Sequence, residues 1–238
     1  MGKVLKSKIS RSYDDIGNLL TTAYSSGYST KNTYNEDGFL SSSEDNMLGF
    51  HVSINYEYDD SGKLLKQTFL NGKSIEYNYD DKDRLKLKIS KAWTDEYAYD
   101  ENNRVILITR VADGIPDTSG TIQFNYDING NLSSRLNLNG DFDEWFYDKK
   151  GNVIRHKNSS YREDFIYNDA GILVSSVNLD QGSKVYTFND AGLMLSYVDS
   201  KGYTKEYEYD EIGNCVEECL YKIDEDEHSL ELFDVFVK

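Results

Sequence analysis

The chain has 238 residues, a formal net charge of −16, 38% apolar residues and 13% aromatic ones, among them 20 Tyr but only one Pro. The acidity argues against a nucleic-acid backbone or an anionic membrane as partner, since both need a positive face. The aromatic content argues against disorder and, with so little Ala, favours strands over helices.

The N-terminal "MGKVLKSKISRSYDD" has no apolar run of signal-peptide length, and no later stretch approaches a membrane span. The expected location is cytoplasmic. Two cysteines, Cys215 and Cys219, stand four apart. On a regular strand they would share a face about 13 Å apart, too far to bridge, so reduced thiols are expected.

From Tyr13 onwards one phrase repeats. Aligned on the aromatic before Asp or Asn, ten copies are centred on Tyr13, Tyr34, Tyr58, Tyr79, Tyr99, Tyr126, Tyr147, Tyr167, Phe188 and Tyr209, mostly 20 or 21 residues apart. The Asp or Asn can accept backbone N–H groups just ahead of it. Three residues later stands Gly in eight copies, with Asp83 and Asn103 in the other two. Asp and Asn are the non-glycine residues that best tolerate positive φ. This pattern predicts a type I turn followed by a left-handed residue, the three-residue hairpin loop with a G1 bulge.

The turn predicts a register. With Asp59 opposite Lys63, Tyr58 faces Leu64, and every copy should place an apolar residue two after the Gly. The ten are Leu19, Leu40, Leu64, Leu85, Val105, Leu132, Val153, Leu173, Met194 and Cys215. Two residues before the repeat aromatic, eight copies carry a second one: Tyr56, Tyr77, Tyr97, Phe124, Trp145, Phe165, Tyr186 and Tyr207. Period two puts it on the same face. The next residue after the apolar one is often apolar too, as at Leu20, Leu65, Ile106 and Val216, and points to the opposite face. Looser turns such as "NGKS" and "SKGY" join the copies, and two longer spacings mark insertions at "SSEDNMLGF" and "VADGIPDTSG". The expected fold is all-β: one domain over 1–238, about ten tandem hairpins in a long, twisted, curled antiparallel sheet, a spiral or open-barrel-like form. Its sheet ends would be capped by "KVLKSKIS" and by C-terminal strands within 217–238, including "SLELFDVFVK".

The motif Tyr-Asp-x-x-Gly-x-Leu at this period resembles the YD repeat of the Rhs family, found in bacterial polymorphic toxins and animal teneurins. The resemblance runs from Tyr13 to about Val216. It implies a wound sheet of the kind that forms a hollow shell around a toxic cargo. Full members are several times longer and carry a toxin domain, and neither feature is found here. The resemblance therefore implies a small standalone member, similar to the orphan products beside Rhs toxin genes that include immunity proteins.

No catalytic reading emerges. The three His share no motif, and there is no H-E-x-x-H, G-x-S-x-G or P-loop. Cys215 sits in the core-facing ladder, and "DDKD" at 80–83 and "DEDEH" at 224–228 lack calcium-loop spacing. No enzyme, metal or cofactor is expected. The second turn position is acidic in eight copies, at Asp15, Glu36, Asp60, Asp81, Glu101, Asp169, Asp190 and Glu211, and Asp37 and Asp83 add to it. All these turns would leave one rim of the sheet, a line of negative charge weakened at its middle by Ile128 and Lys149. Ordinary turn composition accounts for such a rim. The functional reading is an edge that receives a basic protein partner, such as a toxic nuclease. A carbohydrate- or cell-surface-binding fragment of an Rhs-type system is the other reading, carried by the aromatic ladders. The oligomeric state is left open.

Overall fold

The fold is that of a computed structural model, which describes residues 3–47, 49–112, 115–179 and 182–223. Twenty strands form one antiparallel sheet, and no helix occurs among the described residues. Ten hairpins follow in chain order. The first is β1 (Lys3–Tyr13) with β2 (Leu19–Tyr24), the second β3 (Ser29–Tyr34) with β4 (Leu40–Met47), the third β5 (Phe50–Tyr58) with β6 (Leu64–Phe69), and so on to β19 (Tyr203–Tyr209) with β20 (Cys215–Ile223).

The turn chemistry is as the sequence predicts. In the third hairpin the Asp59 N–H donates to the Lys63 carbonyl, and the Gly62 N–H returns to the Asp59 carbonyl. Asp59 Oδ1 accepts the N–H groups of Ser61 and Lys63. Asp83 and Asn103, which replace Gly in two copies, adopt φ of 60° and 62°. Gly62 has a second reason to be Gly, since a Cβ there would lie 2.4 Å from the Phe39 ring of the preceding hairpin.

All ten repeat aromatics pair with the apolar residue two after the Gly position, from Tyr13 with Leu19 to Tyr209 with Cys215. A bulge follows each such pair. Tyr58 faces Leu64 but Glu57 faces Lys66, so Leu65 is left over and is exposed. The same bulge corrects the cysteine geometry. Cys215 pairs with Tyr209 and Cys219 with Glu206, three residues apart on the partner strand, so the two thiols lie on opposite faces.

The sheet is neither a spiral nor open. β1 pairs with β2 on one side and with β20 on the other, which closes a ring. Both supposed caps are thereby revised. "KVLKSKIS" lies in the closing strand β1, and residues 217–223 are the body of β20, while "SLELFDVFVK" lies outside the described residues. The two insertions lengthen strands rather than loops: β4 and β5 pair out to Met47–Phe50, and β10 (Val105–Ala112) and β11 (Ile115–Tyr126) out to Ala112–Ile115.

The register fixes the size of the ring. Tyr56 pairs with Gln67, and Gln67 with Ile75, which stands two residues further from its tight turn than Tyr56 does from its own. The seam makes the same step: Tyr207 pairs with Glu218, and Glu218 with Ile9. Ten steps of two residues give a shear of 20 on 20 strands. With standard strand spacings this means a tilt of about 35° and a backbone diameter of roughly 37 Å. A six-residue strand then spans about 16 Å along the axis, short of the ~25 Å apolar band of a membrane barrel. The molecule is a wide, shallow hoop. Its wall is thin: Cys219 is the one buried hydrophobic residue among those described. The face bearing the repeat aromatics is the more shielded, as a concave wall should be; in β7 (Ser74–Tyr79), Ile75, Tyr77 and Tyr79 are half-buried while Glu76 and Asn78 are exposed.

The hoop is stitched by tyrosine hydroxyls. Each repeat tyrosine donates to the carbonyl of the apolar residue in the hairpin before it: Tyr34 to Leu19, Tyr58 to Leu40, Tyr79 to Leu64, Tyr99 to Leu85, Tyr126 to Val105, Tyr147 to Leu132, Tyr167 to Val153 and Tyr209 to Met194, at 2.6–2.9 Å. Tyr13 donates to Cys215, so the first hairpin treats the last as its predecessor. The belt has one gap, where Phe188 offers no hydroxyl to Leu173. Phe188→Tyr is expected to add about 0.5–1.5 kcal/mol of stability and to raise the melting temperature by about 1–6 °C, readable by calorimetry. An unchanged or lower value would mean that the belt bonds contribute nothing net.

Candidate functional site

Because the strands alternate in direction, the ten tight turns emerge at one mouth of the hoop. The residues singled out by sequence all lie there and are all exposed: Asp15 between β1 and β2, Glu36 and Asp37 between β3 and β4, Asp60 between β5 and β6, Asp81 and Asp83 between β7 and β8 (Leu85–Ser90), Glu101 between β9 (Trp93–Tyr99) and β10, Asp169 between β15 (Arg162–Tyr167) and β16 (Leu173–Asn178), Asp190 between β17 (Gly182–Phe188) and β18 (Met194–Asp199), and Glu211 between β19 and β20. Closure turns the expected line into a ring. The ten five-residue turn segments hold 17 carboxylates against six Lys or Arg, a net −11 out of the chain's −16.

Two kinds of carboxylate share this mouth. The turn-opening Asp residues are spoken for. The Ser61 hydroxyl and the Lys63 N–H hold Asp59 below the usual carboxylate range, and the Arg84 guanidinium does the same for Asp80. At Asp14 burial alone would raise the pKa, but the backbone and side-chain amides of Asn18 outweigh it. The residues at the next position project outward instead. Sequence reasoning missed the cations that close three of the turns: Lys63 pairs with Asp59 at 3.6 Å and also with Asp83 of the next turn at 2.6 Å, Arg84 with Asp80 at 2.7 Å and Arg104 with Asp100 at 2.7 Å. They stand four residues after the turn-opening Asp, a spacing legible in the sequence once the turn is known.

The charge is unevenly spread. The turns of hairpins 10, 1 and 2 carry Asp210, Glu211, Asp14, Asp15, Glu36 and Asp37 and no Lys or Arg. Hairpins 3 to 5 carry seven carboxylates but also Lys63, Lys82, Arg84 and Arg104. Hairpins 6 and 7, with Ile128, Lys149 and Lys150, lie half a turn round the ring from hairpins 1 and 2.

The aromatic face holds a separate polar cluster. Asp143, 4% exposed, accepts from Arg135, Asn137, Asn158 and His156 at 2.9–3.2 Å, and His156 stacks on Trp145 at 4.7 Å. Burial would raise the Asp143 pKa, but these four donors hold it low. Every lone-pair direction of the carboxylate is occupied, so the cluster knits the wall and offers no free base. Among the described residues no group of His, Cys, Asp and Glu is arranged to hold a metal ion. Both cysteines are free; Cys219 is buried, and that burial pushes its thiol pKa up, away from nucleophilic use.

A closed hoop of Tyr-Asp hairpins, hydroxyl-stitched from repeat to repeat, defines a shell-type repeat protein. The chain belongs to the teneurin YD-shell family, which it matches over residues 84–222. Among solved structures, TcdB2-TccC3-TEV aligns with 92% of this chain and 14% of its own at 16% identity, TM-score 0.53. A Tc holotoxin pore from Photorhabdus luminescens covers 86% of this chain and 14% of its own at 14% identity, TM-score 0.48. A porin-like protein from Bacteroides uniformis covers 92% and 96% at 11% identity, TM-score 0.39. The chain thus spans about one seventh of the length of the Tc chains it matches. At 16% identity the likeness to TcdB2-TccC3-TEV is one of fold alone. No match is found among the curated proteins.

Proposed function

We propose that this protein is a non-enzymatic binding module whose acidic mouth receives a basic protein, in the concrete form of an immunity-type protein that masks a nuclease-like toxin in the cytoplasm. The observation that supports it most is the net −11 gathered at one mouth. A nuclease must present a cationic surface to its phosphate backbone, and a mouth of opposite sign attracts and covers such a surface. The saturated Asp143 cluster and the buried Cys219 leave the polar constellations described above with structural work to do. The glycan reading is less well supported, because nine of the repeat tyrosines spend their hydroxyls on the wall itself.

The test is capture of partners on the tagged protein from lysate of its source, washed at low and then high salt, followed by co-expression with any basic protein retained. The expected result is one stoichiometric basic protein, released by salt, whose toxicity is suppressed. Its capture should fall at least tenfold when the ring acids on both arcs (Asp15, Glu36, Asp37, Asp60, Asp81, Glu101 and Glu211) are neutralised together. Retention indifferent to salt and to these changes would overturn the reading and turn attention to glycans.

A further inference from the structure

Two grooves open at the acidic mouth, each between neighbouring tight turns, and they flank the seam. One, of about 840 Å³, lies between hairpins 9 and 10 and is lined by Leu193, Leu195 and Ile212 together with Asp210 and Glu211. The other, of about 420 Å³, lies between hairpins 1 and 2 and is lined by Ile16 and Leu20 together with Glu36 and Asp37. Ile16 and Ile212 are 79% and 70% exposed, unusual for large aliphatic side chains. Both occupy the third position of their turns, where most copies carry small or polar residues.

We infer that these paired grooves are the docking site of a basic amphipathic polypeptide segment, in which aliphatic side chains alternate with Lys or Arg. This rests on the binding role proposed above and locates it. Asp15, Glu36, Asp37 and Glu211 around the grooves make no ion pair among the described residues and have no Lys or Arg in their turns, whereas Asp60, Asp81 and Glu101, also without an ion pair, share their turns with Lys63, Lys82, Arg84 and Arg104. An incoming cation here meets uncompensated charge, and an incoming aliphatic group meets exposed apolar side chains. The two grooves are centred two hairpins apart, roughly 22 Å across the tilted ring. That matches aliphatic residues separated by about four helical turns, so a helix with one apolar edge and basic flanks can seat in both grooves, one on each side of the seam, at once.

The probe is a fluorescein-labelled 18-residue peptide of Lys and Leu with Leu on one helical face, compared with a peptide of equal charge in which Ser replaces Leu; binding is read by anisotropy. Variant D15N/E36Q/D37N/E211Q is expected to weaken the Lys-Leu peptide at least tenfold, and D60N/D81N/E101Q less than threefold. I16S/I212S should weaken the Lys-Leu peptide several-fold and leave the Lys-Ser peptide unchanged. Equal losses from the two charge variants, or no effect of I16S/I212S, would overturn the groove assignment while leaving the acidic mouth as a binding surface. Loss from neither charge variant would remove both.

Discussion

Ile9→Pro is expected to open the ring. Ile9 sits in the middle of β1, paired with Tyr24 of β2 on one side and Glu218 of β20 on the other. The Lys8 carbonyl accepts from Ser25 near β2, so by strand alternation the Ile9 N–H and C=O point across the seam towards β20. Proline there removes a seam donor and sets its ring against the neighbouring strand. The orphaned acceptor alone costs about 1–3 kcal/mol, which is about 2–12 °C of melting temperature at this size. The seam is the one junction between neighbouring strands that no turn holds together, so a weakened ladder there exposes two sheet edges, and exposed edges associate. The cross-seam pairs Lys3–Glu206, Lys8–Glu217 and Arg11–Glu218 are part-exposed and screened, so they cannot substitute for the ladder. The expected result by size-exclusion chromatography with light scattering is a shift from a single species to mixed oligomers, together with the lower melting temperature. A variant with unchanged size and melting would show that closure does not depend on this ladder.

The hoop is also expected to fall apart cooperatively in alkali, earlier than ordinary backbone stability would suggest. Burial raises the pKa of eight belt tyrosines, namely Tyr13, Tyr58, Tyr79, Tyr99, Tyr126, Tyr147, Tyr167 and Tyr209. Donation to a backbone carbonyl, lost with the proton, acts in the same sense. A group whose folded pKa lies above its unfolded value contributes stability that is fully present below the unfolded pKa, here about 10. That contribution drains away as pH rises through the folded value, because the unfolded chain releases its protons first. Eight such groups on one belt make the loss steep. Tyrosinate absorbance should lag behind the ordinary phenol titration and then rise together with the collapse of the far-ultraviolet dichroism. The variant Tyr79→Phe/Tyr99→Phe/Tyr147→Phe should be less stable at pH 7, by about 0.5–1.5 kcal/mol per lost bond, yet lose less of its remaining stability between pH 10 and 12. Tyrosines that titrate near pH 10 while the dichroism stays intact would refute the belt as a structural element.

Much of this molecule is local, and local features are legible in a sequence. Asp at the start of the turn, a left-handed residue three later and an apolar residue two after that fix a hairpin through hydrogen bonds that span five residues. The pairing of Tyr58 with Leu64, and the positive φ at Asp83 and Asn103, follow from that alone. The bulge at the residue after Leu64 was not legible, because no residue type demands it, and it moved Cys219 to the face opposite Cys215. The positions of the acidic residues at one rim were likewise determined by the repeat.

What the tertiary structure decided is the closure and everything that depends on it. Each hairpin offers the next a two-residue stagger, and a stagger has no sequence mark until it is summed round a ring. Ten such steps bring β1 against β20, where the hydroxyl of Tyr13 meets the carbonyl of Cys215, 202 residues away along the chain. Read as a line, Ile128 and Lys149 divide the acidic rim into two arms. Read as a ring, the arms join across the seam, and the most uncompensated charge lies at hairpins 10, 1 and 2, which the sequence holds at its opposite ends. Turn geometry is set by neighbours a few residues apart, whereas the mouth of the hoop is set by contacts between its first and last strands, and only the folded chain brings those together.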